Sequence, residues 1–166
     1  MDKINAKQHI RENYQSIEIS ATNNENGLTS CYDGEFDPLL ASGVCLHQLF
    51  ENTVEKYPEN IAVEFNNETL TYSELNKKAN RLARYLKSLG IGVVDFAGIL
   101  LTRTPDMYIA MLGILKAGAA YIPIDPKYPA ERVHFILNNC NAKILVSTSG
   151  FTNKLTVLSC LPLLMD

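Results

Sequence analysis

The stretch Leu115-Lys116-Ala117-Gly118-Ala119-Ala120-Tyr121-Ile122-Pro123-Ile124-Asp125-Pro126 changes its period partway along. Up to Lys116 the apolar residues belong to a helical repeat. Beyond Gly118 they become the short continuous run Ala120–Ile124, which suits a strand. Gly118 stands where a helix needs a left-handed residue to stop. Pro123, which has no N–H to donate to a ladder, marks a sheet edge or a strand end. The segment therefore reads as helix end, glycine cap, strand and proline-framed turn.

Working outward, the same alternation continues on both sides. Thr104-Pro105 supplies an N-cap and a first-turn proline, opening a helix over Pro105–Lys116. Met107, Tyr108, Met111, Leu112 and Leu115 are its expected inward face, read as core packing. Ala97–Leu101 before it reads as a buried strand. Pro129 opens a helix over Pro129–Asn139 with Val133, Ile136, Leu137 and Cys140 inward, and Lys143–Ser147 is a further strand. Strands alternating with helices of this length imply right-handed βαβ units and a parallel sheet. Nearer the start, Leu46, Leu49, Phe50, Val54 and Tyr57 mark a helix over Cys45–Tyr57 that Pro58 stops. Ile61–Phe65 and Glu68–Thr71 flank Asn66-Asn67, the signature of a tight hairpin. Thr71 and Glu74 make a capping-box pattern for a helix over Tyr72–Leu89, with Leu75, Ala79, Leu82, Leu86 and Leu89 inward and Gly90 as its cap. Arg81, Arg84 and Lys87 lie off that stripe and read as a solvated face. The remainder to Asp166 is apolar but too brief to close a domain by itself. Its Leu155, Val157, Leu158, Leu161, Leu163 and Leu164 are expected to lack cover, a cause of self-association.

The chain has 166 residues, 46% hydrophobic and 20% charged, with 15 Lys and Arg against 18 Asp and Glu. A length of this order buries a real core without staples. The balance of charge offers no excess to neutralise phosphates, which argues against a nucleic-acid partner. The apolar runs fall short of the ~20 residues of a membrane-spanning helix. Met1-Asp2-Lys3-Ile4-Asn5 is not followed by an apolar run, so no secretory signal and a cytoplasmic location are expected. Residues 1–43 are polar and rich in asparagine, too poor in apolar surface to offset their ordering entropy. They read as a linker or tail with a short strand around Ile17–Ile19, and 44–166 as the globular portion. Cys31, Cys45, Cys140 and Cys160 form no C-x-x-C pair, and Cys45, Cys140 and Cys160 are expected reduced and buried. His9, His47 and His134 are scattered, and no general base is assigned.

Leu70-Thr71-Tyr72-Ser73-Glu74-Leu75 and the stretch from Leu115 to Asp125 resemble the first two core motifs, L-T-Y-x-E-L and L-K-A-G-x-A-Y-x-P-x-D, of adenylation domains of nonribosomal peptide synthetases. Leu46-His47-Gln48-Leu49-Phe50-Glu51, Asn80-Arg81-Leu82-Ala83, Arg103-Thr104-Pro105-Asp106-Met107 and Tyr128-Pro129-Ala130-Glu131-Arg132 fall in the family's order. Each motif alone is weak, but the ordered series from about Val44 to at least Val146 is specific.

The resemblance implies the N-terminal subdomain of the adenylate-forming α/β fold, a small hairpin followed by βαβ units. It implies a family that activates an amino acid with ATP and Mg2+ and loads it onto the phosphopantetheine thiol of a carrier protein. It places the phosphate loop, the ribose-binding aspartate and the catalytic lysine beyond Asp166. No residue of this chain is accordingly assigned a catalytic, cofactor-binding or metal-ligating role, and the chain alone is expected to be inactive. Ser147-Thr148-Ser149-Gly150 superficially resembles a phosphate loop, but Phe151-Thr152-Asn153-Lys154 supplies neither a second glycine nor a Lys-Gly ending. An ordinary strand-to-loop turn is the better reading. The expected partners are the remainder of the domain and the carrier and condensation domains of a synthetase. The alternative reading is a non-catalytic docking module, or one half of a split enzyme.

Overall fold

A computed structural model describes residues 43–155 and 158–166. The expected linker, its strand at Ile17–Ile19, Cys31, His9 and Val157 lie outside the described residues. Helix α1 (Leu46–Lys56) is followed by β1 (Ile61–Phe65), β2 (Glu68–Thr71), α2 (Tyr72–Ser88), β3 (Phe96–Leu100), α3 (Pro105–Ala117) and β4 (Ala120–Pro123). Then come α4 (Ala130–Asn139), β5 (Ile144–Ser147), a single turn α5 (Ser149–Thr152) and β6 (Leu161–Leu164). β1 and β2 form the expected antiparallel hairpin, and Asn66 in its turn takes φ +53°. The other strands form one parallel sheet in the order β4-β3-β5-β6. β4, the strand that carries Pro123, is an edge.

Alternation along β3 and β5 distributes the two layers of core. Ala97, Ile99, Ile144 and Val146 face α2 and α3, which contribute Leu75, Leu82, Leu86, Ile109, Ala110, Ile114 and Ala117. Leu100 and Leu145 face the other way, onto Val133 and Leu137 of α4. Gly98 sits between them because a Cβ there would lie 2.8 Å from Leu137 Cδ2 and 3.0 Å from Leu145 Cδ1. Helices thus cover both faces of the sheet, as parallel strands require.

The capping box of α2 is formed: Glu74 N–H donates to Thr71 Oγ1 at 3.2 Å, and Thr71 N–H donates to Glu74 Oε2 at 2.9 Å. The caps at Gly90 and Gly118 take φ +78° and +95°. Four expectations need correction. Leu89, assigned to the inward stripe of α2, is 39% exposed, because it is the C-cap and the chain has already turned away. In α3 the buried residues are Ile109, Ala110, Gly113, Ile114, Lys116 and Ala117, whereas Met107, Met111, Leu112 and Leu115 are half-buried and Tyr108 is exposed. That helix is apolar on every side, so periodicity leaves its phase undetermined. Cys45 is exposed rather than buried, since the N-cap precedes the first turn, and Cys140 is half-buried; Cys160 is buried as expected. Finally, the apolar remainder adds a fourth strand: β6 pairs in parallel with β5, Ile144 opposite Leu161 and Ser147 opposite Leu164. Leu161 and Leu164 remain exposed there, whereas Leu155, Leu158 and Leu163 are half-buried.

Candidate functional site

Four parallel strands bring four strand-to-loop turns to one rim, the end of an open α/β sheet at which ligands bind. After β3 come Leu101, Thr102 and Arg103; after β4, Asp125, Lys127 and Tyr128; after β5, Thr148 to Phe151; after β6, Asp166. A groove of about 860 Å3 opens between these turns, with Thr102, Arg103, Asp125, Lys127, Tyr128 and Phe151 on its walls and Ile99 and Tyr121 below. Asp125 shapes its own turn: Lys127 N–H donates to Asp125 Oδ1 at 2.8 Å and Tyr128 N–H to the Asp125 carbonyl at 3.0 Å. This is the bond that lets an Asp replace a backbone turn. The groove's walls bear two cations, Arg103 and Lys127, and one carboxylate, Asp125, with no His or Cys among the described lining residues.

The stretch with the look of a phosphate loop lies on this rim and is already engaged. Ser147 is fully buried, and its hydroxyl donates to the Leu100 carbonyl at 2.9 Å, tying β5 to β3. Ser149 N–H donates to Asp166 Oδ1 at 3.0 Å, and the Ser149 hydroxyl donates to Asp166 Oδ2 at 2.7 Å. The hydroxyl bond first, then the N–H bond, hold the Asp166 carboxyl below the usual carboxylate range. The Ser149 N–H and hydroxyl are therefore both engaged by an internal carboxylate. Lys154 Nζ stands 5.8 Å from the centre of the Phe151 ring, a cation–π contact. These residues do not fit the phosphates of ATP. Nor do any three His, Cys, Asp or Glu side chains among the described residues converge as a metal site. His47 and His134 lie on different helices, α1 and α4.

At the opposite end of the sheet the turns are tied shut. Lys143 Nζ lies 2.7 Å from Asp95 Oδ1, and Gly92 N–H donates to Asp95 Oδ2 at 2.9 Å. The lysine first, then the Gly92 N–H, keep the Asp95 carboxyl below its ordinary range.

The half-buried side of α3 lines a second, apolar groove of about 530 Å3, with Phe50, Val63, Tyr72, Tyr108, Met111 and Leu112 among its walls. The rings of Phe50 and Tyr72 are 5.8 Å apart and tilted. One structural contact escaped sequence reasoning. Lys116, read there as a helix end, is buried with 4% of its side chain exposed, and it forms an ion pair with Glu51. The pair pins α3 to α1. Its signal was the presence of both residues in motif segments, Leu46–Glu51 and Leu115–Asp125, although nothing in their spacing joins them.

The geometry has counterparts among known proteins. The family model described as AMP-binding enzyme matches residues 50–163. Tyrocidine synthase 3 of Brevibacillus parabrevis is 52% identical over 102 residues, which cover 61% of this chain and 2% of that protein. Surfactin synthase subunit 1 of Bacillus subtilis (strain 168) is 39% identical over 137 residues, 82% of this chain and 4% of that protein. The crystal structure of the nonribosomal peptide synthetase FmoA3 in its alpha-methyl-L-serine-AMP bound form superposes with a TM-score of 0.69 at 31% identity, covering 73% of this chain and 14% of that one. The N-terminal subdomain of Klebsiella oxytoca NpsA shares the fold, with a TM-score of 0.66 at 24% identity over 72% of this chain and 30% of that one. The chain thus spans 2–4% of the length of these two curated relatives. Its hairpin, its four-stranded parallel sheet and the match over residues 50–163 establish that it belongs to the AMP-binding enzyme family, as an N-terminal portion of a nonribosomal peptide synthetase adenylation domain.

Proposed function

We propose that residues 44–166 are the opening scaffold of an amino-acid-activating adenylation domain, and that residues 1–43 are the linker leading into it. The observation that supports this most directly is the structural employment of the motif residues. Thr71 and Glu74 cap α2, Lys116 pins α3 to α1, Gly118 ends α3, and Asp125 folds the rim turn. Each thus serves capping, pairing or turn geometry, which supports a scaffold role.

In the complete domain an amino-acid carboxylate attacks the α-phosphorus of ATP, pyrophosphate leaves, and a carrier-protein phosphopantetheine thiol then takes the aminoacyl group, releasing AMP. Holding a triphosphate in line for that attack requires a cradle, a countercharge and Mg2+, and these belong to the remainder of the domain. No residue of this chain is catalytic, cofactor-binding or metal-ligating in this reading. Among the described residues no helix is long and apolar enough to cross a membrane. The proposed setting is the cytoplasm, and the proposed partners are the remaining adenylation segment and the carrier and condensation domains of a synthetase.

The test is amino-acid-dependent exchange of labelled pyrophosphate into ATP. The chain alone is expected to give none with any amino acid, and addition of the remaining domain segment is expected to restore it. Robust exchange by the chain alone, abolished by Lys154→Ala, would overturn the reading and make the Ser147–Gly150 turn a phosphate site.

A further inference from the structure

Helix α2 carries a concentration of charge that the scaffold role does not use. Five of the chain's 15 Lys and Arg side chains lie on it, with Glu74 as its only acid. At the α-helical repeat, Lys77, Arg81, Arg84 and Lys87 share one face, diametrically opposite the buried Leu75, Ala79, Leu82 and Leu86. All four cations are exposed. The strip is about 15 Å long, from a rise of ~1.5 Å per residue. Its neighbours along the helix repel one another: Lys77–Arg81 at i, i+4, and Lys78–Arg81, Arg81–Arg84 and Arg84–Lys87 at i, i+3. Such like-charge pairs destabilise a helix, and a face that merely needs water has no reason to accumulate them. At its C-terminal half the strip borders a hollow of about 280 Å3, walled by His47, Gln48 and Glu51 of α1 and by Asn80, Arg84 and Lys87 of α2.

We propose that this face docks an acidic polypeptide surface, a helix or loop bearing several Asp or Glu side chains, with one side chain seated in the hollow. Charge complementarity names the class of partner, and the hollow narrows it. Gln48 and Asn80 present neutral amides beside the cations, a mixture that suits a peptide's carboxylates and backbone groups together. Glu51 in the hollow is paired with Lys116, which leaves Arg84 and Lys87 as its unpaired charges among the described residues. A nucleic-acid partner is opposed by the chain's own excess of acid over base, 18 Asp and Glu against 15 Lys and Arg. The apolar face of α2 is committed to the core, so a membrane surface could be held by charge alone, without the apolar insertion that strengthens such binding.

The experiment uses the full chain and a fluorescein-labelled poly-L-glutamate oligomer, read by anisotropy at low and high salt. An RNA oligomer of equal charge and phosphatidylserine–phosphatidylcholine vesicles run beside it. Arg81→Gln/Arg84→Gln should weaken peptide binding about tenfold or more, with salt doing the same. Lys56→Gln/Arg132→Gln, with the same change in net charge, should leave it unaltered. Because the strip variant removes repulsions, its thermal midpoint should hold or rise while binding falls. Equal loss in the control variant, undiminished binding by the strip variant, a lowered midpoint in it, or tighter binding to RNA or vesicles than to the peptide would each overturn the proposal.

Discussion

Helices α2 and α3 lie against each other beneath the same sheet face, yet they encode their orientation in opposite ways. α2 buries a narrow stripe, Leu75, Ala79, Leu82, Ala83 and Leu86, and surrounds it with charge and amide. Its sequence alone says which side faces in. α3 has apolar side chains all round, and the residues it buries against α2 include the small Ala110, Gly113 and Ala117. Its phase is set by where its neighbour leaves room: a Cβ on Gly113 would lie 2.7 Å from Leu82 Cδ2 and 2.9 Å from Leu82 Cβ. A patterned helix carries its own instructions, and an unpatterned one follows the shape offered to it.

The contrast can be broken at its centre. Leu86 is fully buried in the stripe, and Leu86→Ala should lose about 3 kcal/mol of stability in urea denaturation, by removal of transfer energy and creation of a cavity. A loss within experimental error would mean that the stripe does not orient α2. Gly113→Ala should lose about 2 kcal/mol through overpacking against Leu82, the clash outweighing the gain in helix propensity. The double variant with Leu82→Ala should recover much of that loss, since the two sites share one space. Additive losses would show that α3 is held in phase by something else. The smallest difference lies at the helix starts. Thr71 accepts from Glu74 N–H, whereas Thr104 makes no side-chain cap to α3. Thr71→Ala should therefore lose about 1 kcal/mol and Thr104→Ala only a few tenths, read from paired thermal midpoints.

The same asymmetry governs what could be read from the residues in order. The hairpin at Asn66-Asn67, the box of Thr71 and Glu74, the cap at Gly118 and the edge position of the strand bearing Pro123 are local matters, settled within a few residues, and each is found as expected. The phase of α3 is a tertiary matter, and so is β6, four residues whose pairing partner β5 lies earlier in the chain. The exposure of Cys45 shows that apolar neighbours in sequence do not ensure burial at a helix end. As for the rim groove, Arg103, Asp125 and Tyr128 stand in recognisable motif segments, but only the strand order brings them to one cavity. The bond from Ser149 to Asp166 crosses 17 residues and the Lys116–Glu51 pair 65, and no periodicity reports either.

The placement of β3 between β4 and β5 has a consequence for the order in which the protein is born. Ser147 closes onto Leu100 across 47 residues, whereas β3 and β4 are joined by a single helical crossover. During synthesis β4 can pair as soon as Pro123 is free, while the other side of β3 waits for Ser147 to emerge. At ~5–20 residues per second, that leaves one apolar strand edge open for roughly one to five seconds on every nascent chain. Over that interval β3 presents unpaired N–H and C=O groups beside Ala97 and Ile99, a template for the wrong strand. A mispairing in that interval would compete with the native order of the sheet.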